Sequence, residues 1–589
     1  MDQLMGILDV INGIIWHPIV LYFVLGVGVL FTVWTGIGQY RALTHGTSVI
    51  RGKYDDKDDP GAINHFQALS AALSATVGLG NIGGVAVAVA LGGPGAVFWM
   101  WMVGVAGMSL KMVEVTLSML YRDTSDPDNP HGGPMFVAAK AFKERGMARI
   151  GKFVGGLFVV TLLISTITGG NMFQSWNVAE VTNTYFGIPS PVVGIVLAVL
   201  VGMVILGGIK RIGSVAGKIV PLMCVIYLIA AVIVLGMNIE KIPGILVLIV
   251  SEAFSPSEAT GAFLGGTAGY ALLWGMKRAL FSSEAGQGSS PIAHSAAKTD
   301  EPVREGIVAG LEPFIDTIVV CTLTALVILS TGTHNRSSEA TFDEPFVVVP
   351  AAEAGDYTIG SGVLPPRSAE ARRVAGGQGW LPETDVFVIV TGDLNNNTGL
   401  NLHRINGQVI ETDDHDAPDG VVRTIEWESV ASDIPMVAAP GHELELYANY
   451  SGASLTAHAF DRAVPGLGKW LITLAAWLFA LSTMISWSYY GEQGIVYLFG
   501  VKAVIPYKLI YCLLIVVAAL GFIKNDSELD SFTALGTGVM LWVNIPIMLI
   551  FGSIAMKAYH NYVGRLKRGE LDSHDAPPMS DVMDGHDVE

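Results

Sequence analysis

Charge is scarce in this chain. Only 15% of its 589 residues are Asp, Glu, Lys or Arg, and the mean hydropathy is +0.51. A soluble chain of this length would divide into several domains with charged surfaces, which such a composition excludes. Cysteine is scarcer still. Cys224, Cys321 and Cys512 are the three present, each inside an apolar stretch, so neither a disulfide framework nor a reactive thiol is indicated. No nucleophile–base set and no His/Cys metal cluster stands out, which argues against an enzyme. The first apolar run has no Lys or Arg before it, as expected of a retained helix and not of a cleaved signal peptide. No internal repeat is detectable by identity.

The net charge of −18 does not point to a nucleic-acid partner. Residues 333–469 alone hold 20 Asp/Glu against 8 Lys/Arg, a net of −12, and the C-terminal tail is also acidic.

What the sequence has is long apolar runs. Windows of roughly 20 apolar residues, the length that crosses a bilayer, fall near 16–38, 67–92, 94–119, 153–176, 190–208, 217–236, 259–282, 306–331, 466–489, 505–523 and 533–556. The expected fold is therefore an all-α polytopic membrane protein of about eleven helices. The stretch 243–254 is too short to span and reads as interfacial. Alternate loops on one side carry 23 Lys and Arg, and the opposite loops, without the long insertion, only Lys241 and Lys524. The positive-inside rule then puts the N-terminus outside the cell and the C-terminus in the cytoplasm, in an inner (plasma) membrane.

Four domains follow: a first part of the membrane domain over 1–332, an extracytoplasmic insertion over 333–450, a second membrane part over 451–568, and a disordered cytoplasmic tail over 569–589. The insertion is polar. Its short β-branched or alternating runs at 346–350, 385–392, 421–430 and 443–450, separated by Gly, Asn, Asp and Pro, predict a small β-rich domain. Asp393-x-Asn395-x-Asn397 and Asp413-Asp414-His415-Asp416 suggest cation ligands only loosely. The EF-hand register fails, because Gly399 comes one position late.

The second span holds the cluster Gly78-Leu79-Gly80-Asn81-Ile82-Gly83-Gly84 near its middle. Glycines at that density disfavour one straight helix. An unwound turn at membrane depth is tolerable only around a cavity or ligand, where freed N–H groups suit a carboxylate and freed carbonyls a cation. The competing account is close packing of helices through small residues. Residues 78–83 also match G-x-G-x-x-G, but no βαβ unit surrounds them, so a dinucleotide site is rejected. The seventh span repeats the pattern with Gly261, Gly265, Gly266, Gly269 and Gly275. With the first helix set aside, the second and seventh spans open two halves of five helices, and paired interruptions of this kind mark transporter sites.

Six segments carry a resemblance: ALSATVGLGNIGGVA (72–86), GGPGAVFWMW (92–101), GGPM (132–135), KRALFSSEAGQGSSPIAHSAA (277–297), FIDTIVVCTLTALVIL (314–329) and FALSTMISWSYYGE (479–492). The membrane part resembles the alanine or glycine:cation symporters, which share the fold of the bacterial leucine transporter, a 5+5 inverted repeat with two broken helices. The insertion matches nothing in that family.

The resemblance implies roles for particular positions. The amides of Leu79 and Gly80 would meet a substrate carboxylate, and Thr76 and Asn81 resemble ligands of a sodium ion beside the substrate. Ser482 and Thr483, with the carbonyls of Ser74, Val77 and Phe479, resemble a second sodium site; otherwise the hydroxyls bond back to their own helix. Trp487, one turn beyond Thr483, looks like a pocket wall that leaves room for a methyl-sized side chain. It also fits an interfacial aromatic. Asn171 and Gln174 place amides where a zwitterion could use them, or act as polar links between helices. Met276, in the seventh span, joins the substrate-binding set.

Asp316 is an intramembrane carboxylate able to offset cation charge or to form a local ion pair. Glu114, three residues after Lys111, reads as a helix-face pair. Where the family commonly has Thr this chain has Leu79, and where it has Asn this chain has Ser283. The second departure bears on substrate and gating. Taken together, the residues and the resemblance imply sodium-coupled import of a small neutral amino acid, alanine or glycine first. The partners are then the amino acid, sodium ions and the bilayer, with no nucleic acid and no organic cofactor. The rivals are proton coupling through Asp316 or Glu114, and a membrane receptor with the insertion as its sensor.

Overall fold

A computed structural model describes residues 2–56, 58–353, 355–413, 421–450, 452–520, 526–572, 577 and 582. The acidic run Asp414-His415-Asp416 and most of the tail beyond Asp572 lie outside the described residues. The principal helices, in chain order, are α1 (Pro18–Trp34), α2 (His65–Thr76), α3 (Val85–Gly92), α4 (Gly95–Tyr121), α5 (Ala148–Ile167), α6 (Phe173–Phe186), α7 (Ser190–Ile205), α8 (Gly208–Met237), α9 (Ala268–Ser283), α10 (Pro302–Ala309), α11 (Thr322–Ser330), α12 (Gly452–Ala463), α13 (Leu467–Phe499), α14 (Val504–Ala518) and α15 (Asp526–Arg568).

Local chemistry sets several of their ends. At the start of α2, Asn64 accepts from the Gln67 N–H and Gln67 accepts from the Asn64 N–H, a reciprocal cap. The α9 start is held by the Thr267 hydroxyl, which accepts from the Tyr270 N–H at 3.2 Å. Four helical paths contain a π turn: Ala42–Gly46, Gly80–Gly84, Thr168–Met172 and Phe314–Cys321. Such turns tend to occur where function interrupts a helix.

Among the described residues, eight helices are long and apolar enough to cross a membrane, or nine if the bent pair α2 and α3 is one span. The protein is thus a predominantly helical, multi-pass membrane protein. Two of the eleven windows fall on helices of 16 residues, α7 and α9, each about 24 Å long at 1.5 Å per residue and short of a hydrocarbon core of about 30 Å. The first helical stretch begins near Gly6, ten residues before the first window, because Asp9 and Asn12 break the apolar run without breaking the helix. On α8 the exposed residues Leu222, Val225, Ile229, Val232 and Ile233 recur at helical spacing, as a face turned to lipid does. By contrast, α13 is enclosed along most of its length.

The insertion holds the strands β1 (Ala340–Thr341), β2 (Val348–Pro350), β3 (Asp356–Ile359), β4 (Asp385–Asn395), β5 (Leu400–Asp413), β6 (Val421–Trp427), β7 (Val430–Ala431), β8 (Val437–Ala438) and β9 (Glu445–Ala448). One sheet runs β1-β9-β4-β5-β6 with β8 also on β4, and a second runs β2-β3-β7. Strand β4 is buried on both faces. Val386, Val388 and Val390 enter the core of the insertion, while Phe387 and Ile389 pack with Ala262 and Leu264 of the segment before α9. Alternation with a period of two thus gives one strand both a core and a docking face.

Candidate functional site

The glycine cluster does interrupt its span. Val77 leaves the helix at ψ 95°, and the axes of α2 and of the Gly80–Gly92 segment differ by 54°. Asn81 bridges the gap: its Oδ1 accepts from the Gly78 N–H at 2.7 Å, and its own N–H donates to the Gly78 carbonyl at 3.1 Å. Leu79 and Gly80 stand at the restart, where helix amides have no intrahelical acceptor. Leu79 and Asn81 are buried, yet Gly80 between them is exposed, with open space where a Cβ would lie. The hydroxyl of Thr456 in α12 donates to the Ile82 carbonyl at 2.9 Å and covers the restart from the insertion side.

Across the break lies α13. The Ser482 hydroxyl donates to the carbonyls of Phe479 (2.9 Å) and Ser74 (3.4 Å), and the Thr483 hydroxyl to that of Ser74 (3.2 Å). Ser74 donates in turn to the Ser482 carbonyl at 2.7 Å. A Cβ on Gly78 would stand 3.1 Å from the Thr483 hydroxyl. Hydroxyls and carbonyls of α2 and α13 therefore meet at one buried point, with the Met223 sulfur 3.6 Å from the Ser482 hydroxyl; the oxygens among them are of the kind a hard cation takes.

A second polar cluster lies at the restart. The Asn81 amide nitrogen donates to the Asp316 carboxylate and, at 3.0 Å, to the Ser282 hydroxyl. Asp316 also accepts from Ser282 at 2.9 Å and from Thr317 at 2.8 Å. These residues come from the restart, from α9 and from the π turn Phe314–Cys321. Thr76 does not join them; its hydroxyl points back at the Ala72 and Leu73 carbonyls of its own helix, 3.5 Å away. Met276 is enclosed on α9.

Asn171 and Gln174 use their amide nitrogens within the bundle, on the carbonyls of Tyr511 (2.8 Å) and Gly169 (3.0 Å). Both amide oxygens are buried without a partner. Trp487 lies against the π turn Thr168–Met172, where a Cβ on Gly170 would fall 2.5 Å from it.

The glycine pattern of the seventh span misplaces its interruption. Gly261 and Gly265 precede α9, whereas Gly269 and Gly275 lie within it. Gly275 serves packing, since a Cβ there would stand 2.3 Å from the Ala96 carbonyl. The helix ends instead at Glu284, left-handed at φ 51°, followed by Gly286 and Gly288 at positive φ.

Beside this end the helix-face pair expected of Lys111 and Glu114 is present, and it is one end of a longer buried ionic chain that the sequence reading passed over. The Lys111 ammonium lies 3.6 Å from Glu114 and 3.4 Å from Glu312. His294 joins Glu312 (2.7 Å) to Glu305 (2.5 Å), and Glu305 continues to His65. The available signal was Glu305 and Glu312, seven residues apart and so on one helix face.

Comparison with known proteins adds to this geometry. Residues 1–352 and 434–576 match the profile of the family described as the sodium:alanine symporter family. AgcS of Methanococcus maripaludis, named a sodium/alanine symporter, is 33% identical over 508 residues, 86% of each chain. The chain belongs to the sodium:alanine symporter family. YrbD of Bacillus subtilis, whose name gives a sodium/proton-dependent alanine carrier, is 29% identical over 561 residues, 95% of this chain and 92% of its own. GlnT of the same organism, named a probable sodium/glutamine symporter, is 36% identical over 329 residues, 56% of this chain and 66% of its own. This is a family of membrane transporters of amino acids with cations. The family profile leaves out residues 353–433, the stretch that holds β3 to β7 in this sodium:alanine symporter family member.

Proposed function

We propose that this protein carries a small neutral amino acid into the cell together with sodium, by alternating access about the break between α2 and α3. The observation that carries the reading is the open space at Gly80 beside amides of a restarting helix, with the Ser482–Thr483–Ser74 oxygen set across the break. In this reading the amides of Leu79 and Gly80 hold the carboxylate, and Asn171, Gln174, Met276 and Trp487 line the pocket. Asn81 and Asp316 face one sodium ion, and Thr76 joins them by turning its hydroxyl away from the Ala72 and Leu73 carbonyls. Ser482, Thr483 and the Ser74, Val77 and Phe479 carbonyls face the other. Eleven spans in a 5+5 inverted repeat, the domain limits given above, an outer N-terminus and insertion, and a cytoplasmic C-terminus complete the proposal. Relatives named for alanine and for glutamine make side-chain size the variable that fixes the substrate.

Uptake by proteoliposomes of a panel of amino acids, with sodium, lithium or potassium outside, tests the reading. Alanine or glycine uptake should require sodium. Equal uptake driven by a proton gradient without sodium would favour the second reading, proton coupling through a buried carboxylate such as Asp316 or Glu114. No uptake of any amino acid would sink both.

The insertion is dispensable for the transport cycle in this proposal. Its two ends meet, since Arg336 donates to the Ala448 carbonyl and Ala340 pairs with Leu446. Replacing residues 337–448 by a short Gly/Ser linker is therefore expected to leave sodium-driven uptake measurable in protein that inserts normally. Loss of all uptake in well-folded protein would place the insertion in the mechanism.

A further inference from the structure

A cavity of about 190 Å³ lies where the insertion meets the membrane helices. Leu91, Leu264 and Tyr270 wall it on the membrane side, and Asn395, His403 and Arg404 on the insertion side. The hairpin of β4 and β5 is pinned there. The Thr267 N–H donates to the Asn397 carbonyl at 3.1 Å, and Arg404 Nη2 to the Ala262 carbonyl at 2.6 Å.

Arg404 is the unusual group. Its guanidinium lies 4.2 Å from the centre of the Phe387 ring, with Nε buried and without an acceptor. Among the described residues no carboxylate pairs with it, although the insertion is strongly acidic. Burial and the neighbouring Arg336 charge push its pKa down to about 10, so it stays cationic at neutral pH. A partly buried guanidinium without a counter-charge is costly, and its planar donor fork suits a carboxylate or a phosphate, of which a transported amino acid brings the carboxylate. The cavity also opens at the ends of both helices that carry the candidate site. Leu91 is eleven residues from Gly80, about 16 Å along the helix.

We propose that this cavity is a second, sodium-independent binding site for the carboxylate of the transported amino acid, with Arg404 as its recognising residue. The ligand's identity rests on the transport reading above; the carboxylate chemistry does not. Among the described residues no carboxylate lines the cavity to hold a cation, so its occupancy is independent of sodium, and the amino acid is held there before it descends to the break.

Equilibrium binding of labelled alanine to the purified full-length protein, with and without sodium, tests this. A sodium-independent component is expected. Propionate should compete for it, and alaninamide, which lacks the carboxylate, should not. Arg404→Gln should remove that component and raise the KM of uptake several-fold at unchanged maximal rate. Val430→Trp, which fills the cavity from the insertion side and leaves Arg404 in the chain, should do the same if Arg404→Gln folds poorly. Absence of a sodium-independent component, or one untouched by both variants, overturns the proposal. If that component is present but no sodium-driven uptake occurs, the transport reading fails and the carboxylate site stands.

Discussion

Replacing Ser482 and Thr483 together by alanine is expected to raise the half-saturating sodium concentration of uptake about 30-fold, taking about 1 kcal/mol for each hydroxyl removed. The order of preference among amino acids should not change. The two hydroxyls meet the Ser74 and Phe479 carbonyls at 2.9–3.4 Å, at the buried end of α2 where the chain leaves its helix. The two hydroxyls meet carbonyl oxygens there, with the Met223 sulfur 3.6 Å from the Ser482 hydroxyl, and none of these groups titrates near neutral pH. A hydroxyl that merely bonds back to its own helix has a different signature, and Ser488 supplies the control. Its hydroxyl donates to the Ile485 carbonyl at 2.7 Å, on the same helix but away from the break. Ser488→Ala should leave the sodium dependence as it is. If the double variant and Ser488→Ala behave alike, the oxygens at Ser482 and Thr483 are structural and the cation lies elsewhere.

The first break was legible because its signal was backbone chemistry: glycines at 78, 80, 83 and 84 have few other uses at membrane depth. The same reasoning failed in the seventh span, where a glycine has two uses. Gly275 lets α9 approach α4, and the chain turns instead at Glu284, a residue whose left-handed conformation no composition rule anticipates. Four apolar runs of the insertion fall on β2, β4, β6 with β7, and β9, but β5 went unread, although it is the longest strand. Apart from Leu400, Leu402, Ile405, Val409 and Ile410, its residues are polar or glycine, because one face of the sheet is turned to solvent.

The ionic chain from Lys111 to His65 was hidden for a related reason. The residues between the windows 259–282 and 306–331 read as a loop, whereas His294 and Arg304 there are buried against helices distant in sequence. Pairings at separations of 240 residues, such as Glu305 with His65, leave no local trace. The roles of Asn171 and Gln174 were left between ligand and helix linker. Their nitrogens are linkers, and their unpartnered oxygens keep the other role open to experiment.

Trp487→Ala is expected to widen the range of accepted side chains, so that valine and leucine compete for alanine uptake. The indole is held by its surroundings. Gly170 abuts it with no room for a methyl group, and Tyr490 meets it edge-on at 5.3 Å. Thr483 and Trp487 are four residues apart and share a helix face, so a side chain at 487 stands one turn from the oxygens at the break. Shape exclusion of one or two methylenes is worth about 1–3 kcal/mol in a pocket that can relax, and a ring backed by packed helices resists relaxation. Removing the indole opens a large cavity, and buried Trp→Ala changes cost about 3–5 kcal/mol of stability. The thermal midpoint must therefore be followed beside transport. Gly170→Ala pushes from the other side: it forces the ring toward the break and is expected to weaken alanine uptake while sparing glycine. The measurement is competition of labelled alanine uptake by a graded series from glycine to leucine, in variants shown to be folded. Opposite shifts of the size limit in the two variants identify Trp487 as the wall of the substrate pocket. An unchanged limit in both means that the tryptophan only packs α13 against the π turn, and the wall must be sought on α9, where Met276 is enclosed.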